Sequence, residues 1–571
     1  MKHMPRTLAA VLAAGTVANA EPFMAADLKN PDAKASVWVV NIPNENASVE
    51  IKDAELLLNY HFTGGGQYLG VPVPVDVKES IDVVKFRLFG DNSGSGFNIY
   101  LNDASEKTHK FNTGIKIDWT GWKDIEIRVD GDHEMWGGKH KIKRIDWPLK
   151  DITFEVGTPG KEVKSQIRFA DIQAIPSALI KITSPAYCGD ISGDPVIHFN
   201  ALGFPALASV KSFNAAKGEM QTIATDIAVD AQGNGSFTFP ATKFPKGPVT
   251  LILTADRTLA GEPQRDNCYL QLYNTTGIEG IHGMPKDPPP AAKGMKLVFA
   301  DNFEGPLSIG KGPGFKYYDH KPPDGSQDFS QWENEALGCR GYRFTSFDKP
   351  NNPFAKVDNF LRIRGSTEAA STGIIASMQG DGSGVKVKAP CYIECRFIAP
   401  NAPGSWPAFW TLTDWHGYAS GCDELDIIEA YGGEGWGNPS SKFATQEDSW
   451  YMICTHMWDQ DNNPNRQAIL NEVGKTNPNP KRMVQKGVNS AWYENFHTYA
   501  VYIGEEETIY YCDDIEMGRH KTFPLSKERP HFFLVNLAIG GISGWKIDLE
   551  RYDGVVDMYV DYIRVYEGKK E

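Results

Sequence analysis

Glu424-Leu425-Asp426-Ile427-Ile428-Glu429-Ala430-Tyr431 is the stretch whose reading decides the fold. Three acids sit in an otherwise apolar run. A helix advances about 100° per residue and would put Glu424 and Asp426 on different faces. A strand suits the run better, because β-branched and apolar residues alternate with the acids. Period two places Glu424 and Asp426 on one face but turns Glu429 to the other. One extra residue near Ile427 or Ile428, a β-bulge, restores Glu429 to the face of its partners. Bulges often re-aim side chains beside active sites in this way.

Three carboxylates on one strand face repel, and one of them holds its proton to higher pH. A solvated strand edge would carry such acids without using them. Cleavage of a glycosidic bond does use them, with one carboxylate to attack and one acid to protonate the leaving oxygen. The surroundings favour the second reading. Just upstream runs Gly404-Ser405-Trp406-Pro407-Ala408-Phe409-Trp410, and downstream come His531 through Gly541 and the strand Met558 through Tyr566.

With these motifs in this order, the chain over roughly 295–567 resembles glycoside hydrolase family 16, in the longer, bulged Glu-x-Asp-x-x-Glu form of its laminarinase-like and agarase-like members. The resemblance implies an all-β, concanavalin-like jelly roll with a concave substrate cleft. It implies Glu424 as nucleophile, Asp426 as the partner of the nucleophile and Glu429 as acid/base. A retaining mechanism needs the two carboxyl groups ~5–5.5 Å apart, so the strand must bend and the side chains lean together. The trio should titrate as a unit, with Glu429 near the working pH.

Substrate-binding candidates surround the acids. Trp406 is expected at the cleft, with Phe409 in the core and Trp410 as a second ring. His456 is a polar residue on a flanking strand. Asn536 sits in an apolar strand where its amide needs partners. Trp545 follows a glycine-rich loop and offers a platform for sugar. His497 reads as structural. A structural calcium, of the kind the resemblance implies, would draw on Asp561 and Glu304, although their spacing alone does not establish it. No cofactor is required.

The 571 residues suggest three or four domains. The chain is 41% hydrophobic, enough for a core in each domain, and its 55 glycines and 36 prolines suit an all-β protein rich in turns. A net charge of −14 argues against nucleic acid and anionic membrane as partners. Lys2, His3 and Arg6, the apolar run Leu8 to Val17 and then Ala18-Asn19-Ala20 read as a signal peptide over 1–20, too short to span a bilayer. The mature protein is thus expected outside the cytoplasm, extracellular or periplasmic. Eight cysteines in an exported chain permit disulfides, and Cys188 with Cys268 is the favoured pair. Cys391 and Cys395, about 13 Å apart along one strand, cannot bond each other.

Three β-sandwich domains follow from the pattern. Residues 21–177 alternate apolar and polar, as in Val84-Lys85-Phe86-Arg87-Leu88, and resemble a jelly roll of the carbohydrate-binding-module type. Trp119, Trp122, Trp136 and Trp147 are candidates for stacking on sugar, weighed against burial in the core. Residues 178–283 read as an immunoglobulin-like β domain without a catalytic constellation. Pro285-Lys286-Asp287-Pro288-Pro289-Pro290 marks a stiff linker over 284–294, and 295–571 is the catalytic domain. The functional expectation is a secreted, monomeric, retaining endo-β-glycanase acting on a polysaccharide, either β-1,3-glucan or red-algal galactan. Transglycosylation, or non-catalytic polysaccharide binding on the same fold, are the alternatives.

Overall fold

The computed structural model describes residues 22–30, 33–129, 133–138, 145–259, 262–322, 343–414, 421–432, 450–458, 466–467, 487–540 and 549–568. The signal-like segment 1–20 and Trp545 lie outside them. The chain is nearly all β and forms three successive sheet systems.

In the first, the strand Glu55–Phe62 alternates half-buried and buried residues along its whole length. Period two gives each such strand one apolar face, and two antiparallel sheets close those faces together. One sheet runs Ala47–Lys52, Glu55–Phe62, Val163–Pro176, Ile81–Asp91, Thr120–Arg128; the other runs Glu134–Gly137, Lys107–Lys116, Gly96–Asp103, Leu149–Gly157, Tyr68–Pro74, Trp38–Val40. Leu58, Phe86, Phe97, Ile99, Phe154 and Phe169 fill the space between them. Of the four tryptophans singled out above, only Trp136 stands clear, at 45% exposure. Trp119 and Trp147 pack on the core margin. Trp122 lies beneath Arg87 and Arg168, and Lys123 covers Trp119.

The second system spans Lys181–Ser184 to Glu262–Asn274 in sheets of three and five strands. The expected Cys188–Cys268 disulfide is absent: both cysteines are free and buried. Cys188 meets Gln271, while the Cys268 thiol lies 2.8 Å from the Tyr187 hydroxyl. Residues 268 and 271 are an odd number of steps apart on one strand, so they point to opposite faces. The seven described cysteines are all free and buried.

In the third system the working strands are β1 (Ser371–Ala376), β2 (Ser405–Thr413), β3 (Cys422–Tyr431), β4 (Trp450–Trp458), β5 (His531–Ile539) and β6 (Val555–Glu567). They belong to one continuous sheet in which β4, β3, β2, β5 and β1 are successive neighbours. Beyond β1 the sheet passes through Phe360–Ser366, β6, Cys391–Ile398 and His497–Ile503. The sheet curls so that its two halves share a core. Phe409, Leu425, Ile428 and Phe533 from one half cluster with Phe397, Tyr499, Val501 and Ile563 from the other.

The second and third systems also share that core. Arg551 donates to Asp266 at 3.0 Å, and the Tyr273 hydroxyl donates to Asp358 at 2.6 Å. The proline-rich segment, expected as a stiff linker, is held by Arg564, which donates to the carbonyls of Pro285 and Asp287 at 3.1 and 2.8 Å. Prolines have no N–H to offer a ladder, but their carbonyls remain free to accept.

Candidate active site

The register of β3 contains the bulge. Against β2, Trp410 faces Asp426 and Phe409 faces Ile428, leaving Ile427 without an opposite residue. Against β4, Asp426 faces Cys454 and Glu429 faces Met452, three steps on one strand against two on the other. The extra residue does what an inserted residue must. Leu425, Ile427, Ile428 and Ala430 all face the core between the layers. Glu424, Asp426 and Glu429 share the other face, and so does Tyr431.

Neighbouring strands supply the contacts. The Trp406 indole N–H donates to Glu429 Oε1 at 3.1 Å, and its ring lies 5.9 Å from that of Tyr431. The Trp410 indole donates to Asn536 Oδ1 at 2.8 Å, and the Asn536 amide donates to the Trp406 carbonyl at 3.4 Å. Asn536 thereby fixes two tryptophans of β2 from β5. Trp406 is half-buried while Trp410 is buried, and Phe409 lies wholly in the core. His456 stands opposite Glu424, with Nε2 3.5 Å from Asp426 Oδ2 and 3.9 Å from Glu424 Oε1. Its Nε2 also lies 3.3 Å from the Cys454 sulfur.

The electrostatics follow from burial with few donors. Burial and the Glu424 charge push the Asp426 carboxyl up to about 6. Burial, then the charges of Asp426 and Glu424, push Glu429 up to about 8. For His456, burial opposes the charge, but Asp426, Cys454 and Glu424 outweigh it and raise the imidazole well above its ordinary range. Asp426 Oδ2 has His456 Nε2 at 3.5 Å and, among the described residues, no closer donor. Burial and the neighbouring charges thus favour the protonated form of Glu429, while the acids favour an imidazolium at His456 on β4.

Three further residues at this face escaped the sequence reading. Tyr431 is two steps beyond Glu429, and period two alone would have placed it there. Cys454 needed the register with β4. Lys321 is buried, with its ammonium 5.3 Å from the Trp410 ring; burial lowers its pKa against the opposing charges of Glu424, Cys422 and Asp426. Nothing in the sequence around Lys321 announces its position.

The remaining residues fall elsewhere. His497 is buried in the opposite half of the sheet, with Nδ1 2.6 Å from Asp513. Asp561 is buried against the Arg396 guanidinium and accepts the Gly283 amide at 3.1 Å. Glu304 is exposed, and its carbonyl accepts from the Lys356 ammonium. A calcium site needs six to eight oxygens free of competing cations. With Arg396 and Lys356 on these oxygens, the residues present do not fit one.

No family profile matches the sequence. Two curated proteins of Rhizobium meliloti (strain 1021) are similar to it. Endo-1,3-1,4-beta-glycanase ExsH is 33% identical over 178 residues, 31% of this chain and 30% of that protein. Endo-1,3-1,4-beta-glycanase EglC is 30% identical over 223 residues, 38% of this chain and 40% of that protein. The chain thus spans less than half the length of either. Among solved structures, the endo-beta-1,3-glucanase from Pyrococcus furiosus covers 50% of this chain and 100% of its own, with 18% identity and a TM-score of 0.34. The catalytic domain of the laminarinase from Thermotoga petrophila RKU-1 covers 49% and 100%, with 18% identity and a TM-score of 0.33. The sequence is thus similar, over about a third of its length, to two endo-1,3-1,4-beta-glycanases, and its third sheet system holds the bulged Glu-x-Asp-x-x-Glu strand.

Proposed function

We propose that the protein is a secreted endo-β-glucanase that cleaves β-1,3 or mixed β-1,3-1,4 linkages with retention of configuration. One observation carries the reading: the bulge in β3 gathers Glu424, Asp426 and Glu429 on one face, with the Trp406 indole on the last of them. Glu424 attacks the anomeric carbon. Glu429, in its protonated form, passes its proton to the leaving oxygen as that bond breaks. A water then gives its proton to the ionised Glu429 and displaces Glu424, so the anomeric carbon is inverted twice. Asp426, between the two glutamates, couples their charges. The names of the R. meliloti relatives, endo-1,3-1,4-beta-glycanases, support β-1,3 and β-1,4 linkages as the bonds cleaved. Secretion rests on the Leu8–Val17 run and the Ala18-Asn19-Ala20 site. Burial raises the pKa of each of the seven described cysteines, which keeps them unreactive in an oxidising compartment.

The test is a panel of barley β-glucan, laminarin and agarose, with new anomers followed by proton NMR. Hydrolysis of a glucan with the β-anomer appearing first is expected. The α-anomer first would overturn retention, and cleavage of agarose alone would overturn the substrate. Secretion is tested by sequencing the N-terminus of exported protein, expected near Glu21.

A further inference from the structure

The outer face of one sheet in the first domain carries a second aromatic site, more than two hundred residues away in sequence from the acids. Residues directly opposite in antiparallel strands point to the same face. The register therefore lines up Trp38, Gly70, Glu155 and Asn98 across four strands. Tyr68 shares that face two steps from Gly70, and Tyr100 shares it two steps from Asn98. Between them Leu69, Val71, Ile99 and Phe154 point inward to the core, so this face looks away from it.

The rings make a trough. Trp38 and Tyr100 are 6.1 Å apart and tilted by only 25°, forming a floor. Tyr68 stands at 87° to Trp38 at one end, and Trp136 at 85° to Tyr100 at the other. The two walls are 36% and 45% exposed, which is unusual for rings of that size. Gly70 is what lets the indole of Trp38 lie down on the sheet: a Cβ at that position would sit 2.1 Å from the ring. Under the floor, Glu155 is saturated by the Tyr100 hydroxyl, the Asn98 amide at 2.7 Å and the Lys110 ammonium at 3.0 Å. That network locks the Tyr100 ring in place and cancels the carboxylate's charge.

We infer that this trough binds a neutral β-linked glycan chain. A pyranose ring presents a flat C–H face to an aromatic floor and hydroxyls along its edge to fixed amides and carboxylates. Lys110 offsets the charge of Glu155, and Glu134, close enough to act on Tyr100, opposes an anionic polymer. The contrast with the opposite sheet is direct: there Arg168 lies over the rings of both Phe89 and Trp122. The choice of a β-glucan as ligand rests on the activity proposed above; the existence of the trough does not.

The experiment is affinity electrophoresis of the full chain carrying Glu424→Gln, in native gels with barley β-glucan or laminarin. Without a working nucleophile the gel polysaccharide stays intact, and binding is read apart from hydrolysis. Retardation is expected by one of them. Trp136→Ala and Tyr68→Ala, both at exposed rings, should each raise the dissociation constant, about tenfold or more for the tryptophan. Trp122→Ala should leave it unchanged. Each variant is first shown to unfold at the temperature of its parent. Equal retardation with and without Trp136 and Tyr68 would overturn the proposal, as would a parent that neither polysaccharide retards. Should the enzyme fail to hydrolyse any glucan, a Trp136-dependent retardation would still stand.

Discussion

Asp103 in the first domain and Asp426 in the last are both buried carboxylates beside a histidine, yet they are built to opposite ends. Asp103 accepts from the amides of Ser105, Lys107 and Asp146, each at 2.9 Å, and from the Ser105 hydroxyl at 3.0 Å. His109 lies 3.0 Å away, and the buried Lys107 ammonium bridges Asp103 and Asp146. Burial works against its charge, but these donors hold it well below the usual carboxylate range. Asp426 has His456 at 3.5 Å, and burial with the Glu424 charge drives it the other way. A carboxylate supplied with donors is a fixed strut. One left short of donors among like charges is a group whose proton can move within the working pH range.

The largest expected effect sharpens the second half of that contrast. Glu424→Gln should reduce kcat on a glucan by about 10⁴-fold or more, as loss of an attacking group does, with the thermal midpoint unchanged. Retained turnover would remove Glu424 as nucleophile. Glu429→Gln should reduce kcat by about 10²–10⁴-fold and abolish the alkaline limb of the pH profile.

Stability separates the two aspartates next. Asp103→Asn strips a buried network of its central charge and should cost about 3 kcal/mol at pH 7, read by denaturant unfolding. Because Asp103's pKa is lower folded than unfolded, its contribution is present above about pH 4 and is lost as pH falls through the folded value. Asp426→Asn should cost nothing at pH 7 or stabilise slightly. Its folded pKa is raised to about 6, so its ionisation opposes folding as pH rises through that range. Equal losses in the two variants would break the comparison.

The smallest effects are movements of the alkaline limb of kcat/KM, expected near pH 8 from Glu429. Asp426 raises Glu429 and His456 lowers it. Asp426→Asn should therefore shift the limb to lower pH, and His456→Ala should shift it to higher pH. Shifts of the same sign would show that the trio does not titrate as one unit.

Much of the acid-bearing face was legible because it is local. The bulge can be read from the misfit between period two and the positions of Glu424, Asp426 and Glu429, and Trp406 arrives on an adjacent strand of matching length. Asn536 was suspect for a sound reason: an amide in an apolar strand needs partners, and Trp410 and Trp406 supply them. What the sequence left open or misread depends on distant residues. Trp119 and Trp122 have the composition of a sugar platform, but Lys123, Arg87 and Arg168 cover them. The Cys188–Cys268 pairing failed on which way one strand faces.

By itself the amino-acid order determined the β character of the chain, its three sheet systems and the acids that share a face, because strand periodicity acts over a few neighbouring positions. Only the tertiary structure decided how burial and neighbouring charges set each acid apart, which rings stay open to solvent, and that Lys321 and Tyr100 belong to sites at all. Those properties are set by burial and by contacts between strands far apart in the chain, and no local pattern encodes them.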